Sequence, residues 1–369
     1  MSLATEQRIE SPQALRRLAD SLKAGAGRQA IVSVCLGTGC AAHGAGELYA
    51  AFQEAVRELG VQESVQVKRT GCHGFCELGP VVVVRPRGVF YKGVAPEDAA
   101  DVIRSAMDPD AAPVERLLYE ADGQRVVLED EVPFYKRQQR IALRLNGVID
   151  PLNIEDYIRE GGYGALAEAL TQQTPESIIE QISASGLRGR GGGGYPTGRK
   201  WASCRKAHGD VKYVICNGDE GDPGAFMDRS IMEANPHAVL EGMTIGSYAI
   251  GAHQGFIYVR QEYPLAVSTL RTALKQSRER GLLGRDILGT GWSFDIEIVR
   301  GGGAFVCGES TALMASLEGR VGEPRAKHIH TVESGLWEKP TTLNNVETWA
   351  NVPVIIARGA EWFASIGSE

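Results

Sequence analysis

Four cysteines and one glycine-rich loop are the residues whose types and spacing could do chemistry in this 369-residue sequence. The cysteines fall in two pairs, Cys35-x4-Cys40 in CLGTGC and Cys72-x3-Cys76 in GCHGFCELGP. Thiolates are soft ligands that suit zinc and iron–sulfur clusters. Structural zinc usually takes tighter C-x2-C knuckles. Spacers of four and three residues therefore favour a larger inorganic core, a [2Fe–2S] cluster. A zinc ion, or thiols without metal, stay open as alternatives. Neighbouring glycines let backbone amides reach cluster sulfurs, which raises the reduction potential. His43 and His73 lie beside the pairs and are read as loop residues, because four thiolates complete a ligand set.

The loop is SGLRGRGGGGYPTGRKW, residues 185–201. GRGGGG matches G-x-G-x-x-G in form, but a helical pattern, SIIEQISAS, precedes it where the dinucleotide fingerprint needs a strand. The phosphate-loop pattern fails too, since Gly198 is followed by Arg199, Lys200 and Trp201. A flexible linker is the plain alternative, and the interleaved cations Arg188, Arg190, Arg199 and Lys200 argue against it. The physical reading is a cradle. Gly189, Gly191 and Gly192 allow close backbone approach, exposed amides and a helix start favour an anion, and Lys200 adds a mobile charge. A planar cofactor bearing phosphate meets these conditions.

Two further stretches follow strand patterns, where α/β folds bind ligands. In NGDEGDPG, 217–224, Asn217 can hydrogen-bond a ring edge, and Asp219 and Glu220 can accept from hydroxyls. A solvated acidic turn is the alternative. GGGAFVCGEST, 301–311, is a second glycine cluster. Cys204, Cys216 and Cys307 are isolated and read as core or pocket-lining residues.

The elements that must position these residues alternate between the periods of strand and helix. A short helix follows Ser11-Pro12. Residues 30–107 read β-α-β-β-β-α, with a hairpin turn at Arg85 to Gly88. DPDAAP, 108–113, is a linker by composition, and 114–160 mixes short strands with the basic stretch FYKRQQRIALRLNG. A helix opening at Thr174-Pro175, strands in VKYVICNG, GFIYVR and DIEIVRG, and a helix from Leu265 argue for a second, larger α/β domain. The expected division is a helix and linker over 1–28, a cluster domain over 29–108, a connector over 109–160 and a cofactor domain over 161–369.

Net charge is -7, which argues against a nucleic-acid partner. No apolar run reaches the roughly 18 residues of a membrane span. The start, MSLATEQRIE, lacks the pattern of a signal peptide. A cytoplasmic protein with reduced thiols is expected.

The cysteine spacing on a β-α-β-β-β-α pattern resembles the thioredoxin-like [2Fe–2S] ferredoxins, which include the 24 kDa-type subunit of respiratory NADH dehydrogenase. SGLRGRGGGGYPTGRKW resembles the flavin loop of the 51 kDa-type NADH-oxidising subunit of complex I and of soluble NAD-linked hydrogenases and formate dehydrogenases. The likeness extends in order through VICNGDEGDPGAFMDRSIMEANPHAVLEGM, GGGAFVCGESTALMASLEGRVGEPRAK and GLWEKPTTLNNVETWANVPVI, over roughly 160–355. GDEGDPGAFMDRS is closer to the soluble branch. The implied fold is α/β, a thioredoxin-like ferredoxin domain followed by a larger Rossmann-like FMN/NADH-binding domain.

The resemblance also implies roles. FMN is contacted by Gly189, Arg190, Gly191, Gly192, Lys200, Asn217, Asp219, Glu220, Phe305, Gly308, Glu309, Asn344 and Asn345, with Glu309 beside the nicotinamide and the two asparagines at the phosphate end. NADH is contacted by Tyr195, Asp222, Ser310, Lys327 and His330. Asp222 stands where the respiratory enzymes carry a ribose-binding glutamate, and His330 where an aromatic ring stacks on adenine. Ser310 replaces a second glutamate and so removes a charge that would repel a 2′-phosphate. Cys35, Cys40, Cys72 and Cys76 hold the cluster.

The implied activity is an NADH:acceptor oxidoreductase, a diaphorase, acting with other iron–sulfur and catalytic subunits such as a hydrogenase or formate dehydrogenase. A bifurcating flavin unit and a non-enzymatic zinc scaffold with a nucleotide-sensing domain are the alternatives. Family members carry, further along, a ubiquitin-like domain and a four-cysteine [4Fe–4S] bundle. This sequence ends at RGAEWFASIGSE, before both, so it is a piece of a longer chain or passes electrons on differently.

Overall fold

The computed structural model describes residues 8–25, 29–326 and 328–367. It divides into two units, one of Ser21–Asp156 with Glu233–Asn235, the other of residues up to Asp20, Tyr157–Met232 and Pro236 onwards. A smaller α/β unit is followed by a larger one, as the sequence leads one to expect.

In the smaller unit, β1 (Ala30–Cys35), β2 (Val65–Thr70), β3 (Val82–Arg85) and β4 (Val89–Tyr91) form a sheet in the order β2-β1-β3-β4. β1 pairs parallel with β2 and antiparallel with β3. A parallel pair needs a crossover, and the helix Ala45–Glu58 supplies it. That helix buries Leu48, Phe52, Ala55 and Val56, which meet Val32, Val34, Val82 and Val84 of the sheet and Val102 and Ile103 of the helix Ala99–Met107. Burying one such branched side chain contributes about 1.5–3 kcal/mol. After this core comes a two-stranded ribbon, β5 (Tyr119–Ala121) with β6 (Gln124–Val126). The ribbon supplies the short strands expected in 114–160, and the basic stretch beyond it forms the turn of helix Pro133–Lys136 and then a run of turns.

In the larger unit, β7 (Tyr213–Gly218), β8 (Gln254–Arg260), β9 (Asp295–Gly301) and β10 (Thr341–Asn345) form a parallel sheet ordered β10-β7-β8-β9. The chain moves outward from β7 to β9 and then returns to the other side of β7. The order therefore reverses between β7 and β10, the place where open parallel sheets bind ligands beyond their strand C-termini. β10 has no strand pattern in the sequence. Its residues are TTLNN and four of the five are buried, so its polar composition hides a buried element. Trp349 of the following helix, Val346–Arg358, stacks on Trp201 at 5.5 Å and donates from Nε1 to the Ile215 carbonyl at 3.1 Å.

Candidate functional site

In the smaller unit the cysteine pairs meet. Cys35 ends β1 and Cys40 lies in the short helix Thr38–Ala42, not in a loop. Cys72 follows β2 and Cys76 opens a 3-10 turn, Cys76–Leu78. Cys72 Sγ and Cys76 Sγ are 3.4 Å apart, and Cys35 hydrogen-bonds both Cys40 and Cys72. Hydrogen bonds to Cys40 and Cys72, then burial, push Cys35 up, while the bond from Cys35 pulls Cys40 down and those from Cys35 and Cys76 pull Cys72 down. The Gly74 amide also donates to Cys72 Sγ at 3.2 Å. A Cβ on Gly39 would lie 2.9 Å from Cys76 Sγ, and one on Gly79 the same distance from Cys40 Sγ, so these glycines leave the sulfurs their space. Among the described residues no three His, Cys, Asp or Glu side chains close on a single ion. Four soft donors, three buried and Cys76 half-buried, with an amide aimed at one of them, suit a two-iron core.

His73 is buried and sits between Thr70 Oγ1 at 3.4 Å and Glu129 Oε1 at 3.2 Å. His43 Nδ1 lies 2.8 Å from the Gly39 carbonyl.

In the larger unit Asn217, Asn344 and Asn345 stand at the C-terminal ends of neighbouring parallel strands. Parallel pairing aligns Asn345 with Asn217 and Asn344 with Cys216. The glycine loop closes on itself through Gly189 N to Tyr195 O at 2.9 Å and Thr197 N to Leu187 O at 2.9 Å. Arg190 N, donating to Thr348 Oγ1 at 2.9 Å, fastens it beside β10. From the next helix, Thr197–Lys206, Lys200 Nζ donates to the Leu343 carbonyl at 2.7 Å and to Asn344 Oδ1 at 3.2 Å. Burial lowers its pKa from 10.5 to about 8.

Asn217 Nδ2 donates to the Gly308 carbonyl at 2.9 Å, which ties the loop after β7 to the glycine cluster after β9. Asp219 accepts from Arg260 Nη1 at 3.3 Å, and burial raises its pKa against the opposing pull of Arg260. Two buried polar atoms here, Asp219 Oδ2 and Asn344 Nδ2, have no hydrogen-bond partner among the described residues. Buried groups of this kind are normally paired. An acceptor for hydroxyls and a donor beside a lysine are what a ribityl phosphate would engage, so the residues fit FMN.

Other carboxylates are already engaged. Glu220 accepts from the amides of Met227, Asp228 and Arg229 at 2.8, 3.0 and 3.0 Å and so caps the helix Met227–Ala234. Glu309 Oε2 accepts from Thr311 N at 2.7 Å and Ala312 N at 2.9 Å, and Ser310 Oγ donates to Glu309 Oε1 at 3.1 Å. Burial raises the Glu309 pKa, but those hydrogen bonds outweigh it and the carboxylate is held below its ordinary range.

Phe305 is 69 % exposed and Tyr195 46 %. Asp222 and His330 are also exposed. Lys327 lies outside the described residues.

The structure adds Arg260 and Asp228, which the sequence did not single out. Arg260 ends β8. Besides Asp219 it donates to Glu262 Oε1 at 2.6 Å and to the Gly303 carbonyl at 2.7 Å, joining the loops after β7 and β9. Asp228 accepts from Asn345 Nδ2 at 2.5 Å, and burial raises its pKa well above the usual range. Arg260→Leu is expected to cost about 2–3 kcal/mol by leaving buried acceptors unpaired. Thermal unfolding reads the loss, and an unchanged melting temperature would show that Arg260 does not bind the loops together.

Residues 182–354 match the Nuo51 FMN-binding domain model, and residues 23–107 match the thioredoxin-like [2Fe–2S] ferredoxin model. The chain is 54% identical over 233 residues to the NADP-reducing hydrogenase subunit HndC of Solidesulfovibrio fructosivorans, covering 63% of this chain and 47% of that one. It is 50% identical over 215 residues to an NADH-quinone oxidoreductase subunit of Aquifex aeolicus, covering 58% and 50%. Against the NAD-reducing hydrogenase HoxS subunit alpha of Cupriavidus necator identity is 49% over 195 residues, covering 53% and 32%. The chain thus matches half or less of the length of these relatives. In three dimensions it follows an NAD+-reducing [NiFe]-hydrogenase chain with a TM-score of 0.54 at 24% identity, over 97% of this chain and 60% of the other, a likeness of fold.

Proposed function

We propose that this chain, whose residues 182–354 match the Nuo51 FMN-binding domain model and residues 23–107 the thioredoxin-like [2Fe–2S] ferredoxin model, is an NADH:acceptor oxidoreductase (diaphorase) module. The observation that carries the reading is the cradle at the strand reversal. There Lys200, Asn344 Nδ2 and Asp219 Oδ2 lie at the sheet edge beside a closed glycine loop, with polar capacity left over. We divide the chain into the cluster domain 29–108, a connector 109–160 and the flavin domain from 161, with Cys35, Cys40, Cys72 and Cys76 as cluster ligands.

When bound, FMN supplies the exchange between the electron pair of a hydride and the single electrons that an iron–sulfur cluster accepts. The chain's own residues bind and orient. Lys200 and Asn344 hold the phosphate end, and Asp219 accepts from hydroxyls. Gly189, Arg190, Gly191 and Gly192 offer main chain instead of side chains, and Asn217 and Gly308 hold the loops after β7 and β9 in register. Exposed Phe305 and Tyr195, with Asp222, Ser310 and His330, are the surface offered to the dinucleotide. Lys327 completes that set by resemblance. Glu309, ionised and fixed by its helix cap, gives the pocket one carboxylate, with Ser310 adding none. No proton need be moved by a side chain, and positioning is the protein's main contribution.

Relatives named as subunits support partners that are iron–sulfur and catalytic subunits of hydrogenase or quinone-reductase type. Among the described residues no helix is long and apolar enough to cross a membrane. A reducing, cytoplasmic setting is part of the same proposal.

The test is anaerobic purification of the full chain with flavin, iron and sulfide analysis, followed by titration with NADH and NADPH. Stoichiometric FMN, a [2Fe–2S] spectrum and bleaching by the dinucleotide are expected. A colourless, zinc-containing protein would overturn the reading.

Lys200 gives a pH dependence. A lysine held down at about 8 loses its proton well before the unfolded side chain does at 10.5. Between these values the unfolded state binds more protons, so the stability of the flavin-free chain rises with pH across that window. FMN affinity runs the other way. It should fall by up to about tenfold per pH unit above about 8 as the cation is lost. Fluorescence titration reads it, and Lys200→Met should flatten the profile.

A further inference from the structure

Within the smaller unit the connector packs on the loop between Cys72 and Cys76. Asn146, 3% exposed, donates from Nδ2 to the main-chain carbonyl of Cys72 at 3.1 Å. Next to it, Gly147 has φ +77, and a Cβ there would stand 2.3–2.7 Å from three atoms of the His73 ring. Only glycine lets the connector close on that imidazole. The other side of His73 is held by Glu129, which also accepts from Arg85 Nη2 at 2.8 Å, and Arg85 in turn reaches the Gly147 carbonyl at 3.4 Å. Phe134 stacks on Phe75 with ring centroids 4.5 Å apart and planes 17° from parallel. Tyr135 packs edge-on to Phe75 at 6.0 Å and joins the apolar cluster that contains Cys35 and Cys40. Three positions of the loop, the Cys72 carbonyl, the His73 ring and the Phe75 ring, are thus each gripped from residues 129–147.

We propose that residues 129–147 form a second wall of the cluster site, with Asn146 a positioning residue for the Cys72 main chain and Phe134 a cover over the loop that links Cys72 to Cys76. The proposal rests on the reading of Cys72 and Cys76 as cluster ligands. Its physical basis is general. Groups behind the ligands orient them, and losing one typically costs about 10–100-fold in metal affinity. A carbonyl held by a buried amide keeps the ligand loop shut, whereas a loop closed only by its own turns opens to water and chelator.

The experiment compares the full chain with Asn146→Leu, which removes the donor at similar size, and with Phe134→Ala. Val102→Ala, in the sheet–helix core away from the cysteines, serves as a control for general destabilisation. Three measurements are made: hydrogen exchange of the 72–79 segment in cluster-loaded and cluster-free chains, iron release to a chelator, and the electron-paramagnetic-resonance signature of the reduced cluster. In both test variants, exchange confined to 72–79 should quicken with or without cluster, chelation should speed about 10–100-fold, and the resonance lineshape should change. Val102→Ala should leave the lineshape and the local exchange as in the parent. Parent-like exchange, chelation and lineshape in both test variants would overturn the wall. Equal changes in Val102→Ala would overturn it as well, by showing simple destabilisation. A parent that holds no iron and sulfide would sink the cluster reading instead, while the exchange of the cluster-free chains still decides whether the connector grips the loop.

Discussion

Gly193→Val combined with Lys200→Ala is expected to leave the chain without FMN while its iron content stays unchanged. Gly193 has no atom within 4 Å of where a Cβ would sit, and its φ is not in the left-handed region. Valine there costs the backbone no strain. It places a branched side chain in open space on the glycine loop, where a bound flavin would meet it if the loop is the cradle. The neighbours Gly192 and Gly194, with φ +92 and +59, would confound the test by straining the loop itself. Removing Lys200 deletes a charge-assisted hydrogen bond worth about 1.5–3 kcal/mol, and overpacking adds about 1–3 kcal/mol. Together they predict FMN binding weakened roughly a thousandfold by these terms. Flavin released on denaturation, measured against iron in the same sample, decides it. Stoichiometric flavin in the double variant would count against the cradle.

Cys72→Ser carries the second large effect and separates the two sites. Cys72 is the thiol that Cys35, Cys76 and the Gly74 amide all address. Serine keeps the shape and loses the soft thiolate that iron prefers. Cluster retention should fall by more than the about 10–100-fold that losing a group behind a ligand costs. Electron delivery to a one-electron protein acceptor should fall with it. Reduction of an artificial dye by NADH should persist within about twofold, since bound flavin alone can serve a dye. Loss of dye reduction in a folded, FMN-replete variant would show that the cluster is needed at the first step.

Much of this was legible because it is local. The cysteine spacers, the run of glycines and cations over 185–201 and the Thr174 helix cap are written within a few residues of one another. The periodicity that announced the β-α-β-β-β-α domain needs only a window of about a dozen residues. β10 escaped because TTLNN carries no apolar alternation, although most of its residues are buried. Arg260 and Asp228 escaped because their partners are remote, 41 positions away for Asp219 and 117 for Asn345. The connector looked like a tether in composition, since nothing in FYKRQQRIALRLNG says that Phe134 and Asn146 return to the loop before Cys76.

By itself, then, the order of amino acids determined which atoms are on offer: four thiols in two pairs, a stripped main chain and a lysine beside it. Only the folded chain decided which of them remain available. Glu220 and Glu309 commit their oxygens to helix starts, while Asp219 and Asn344 keep buried capacity at the strand reversal. The reason is physical. Burial and hydrogen bonding are set by sheet order, which brings residues together across the whole chain, and short-range patterns carry no record of it.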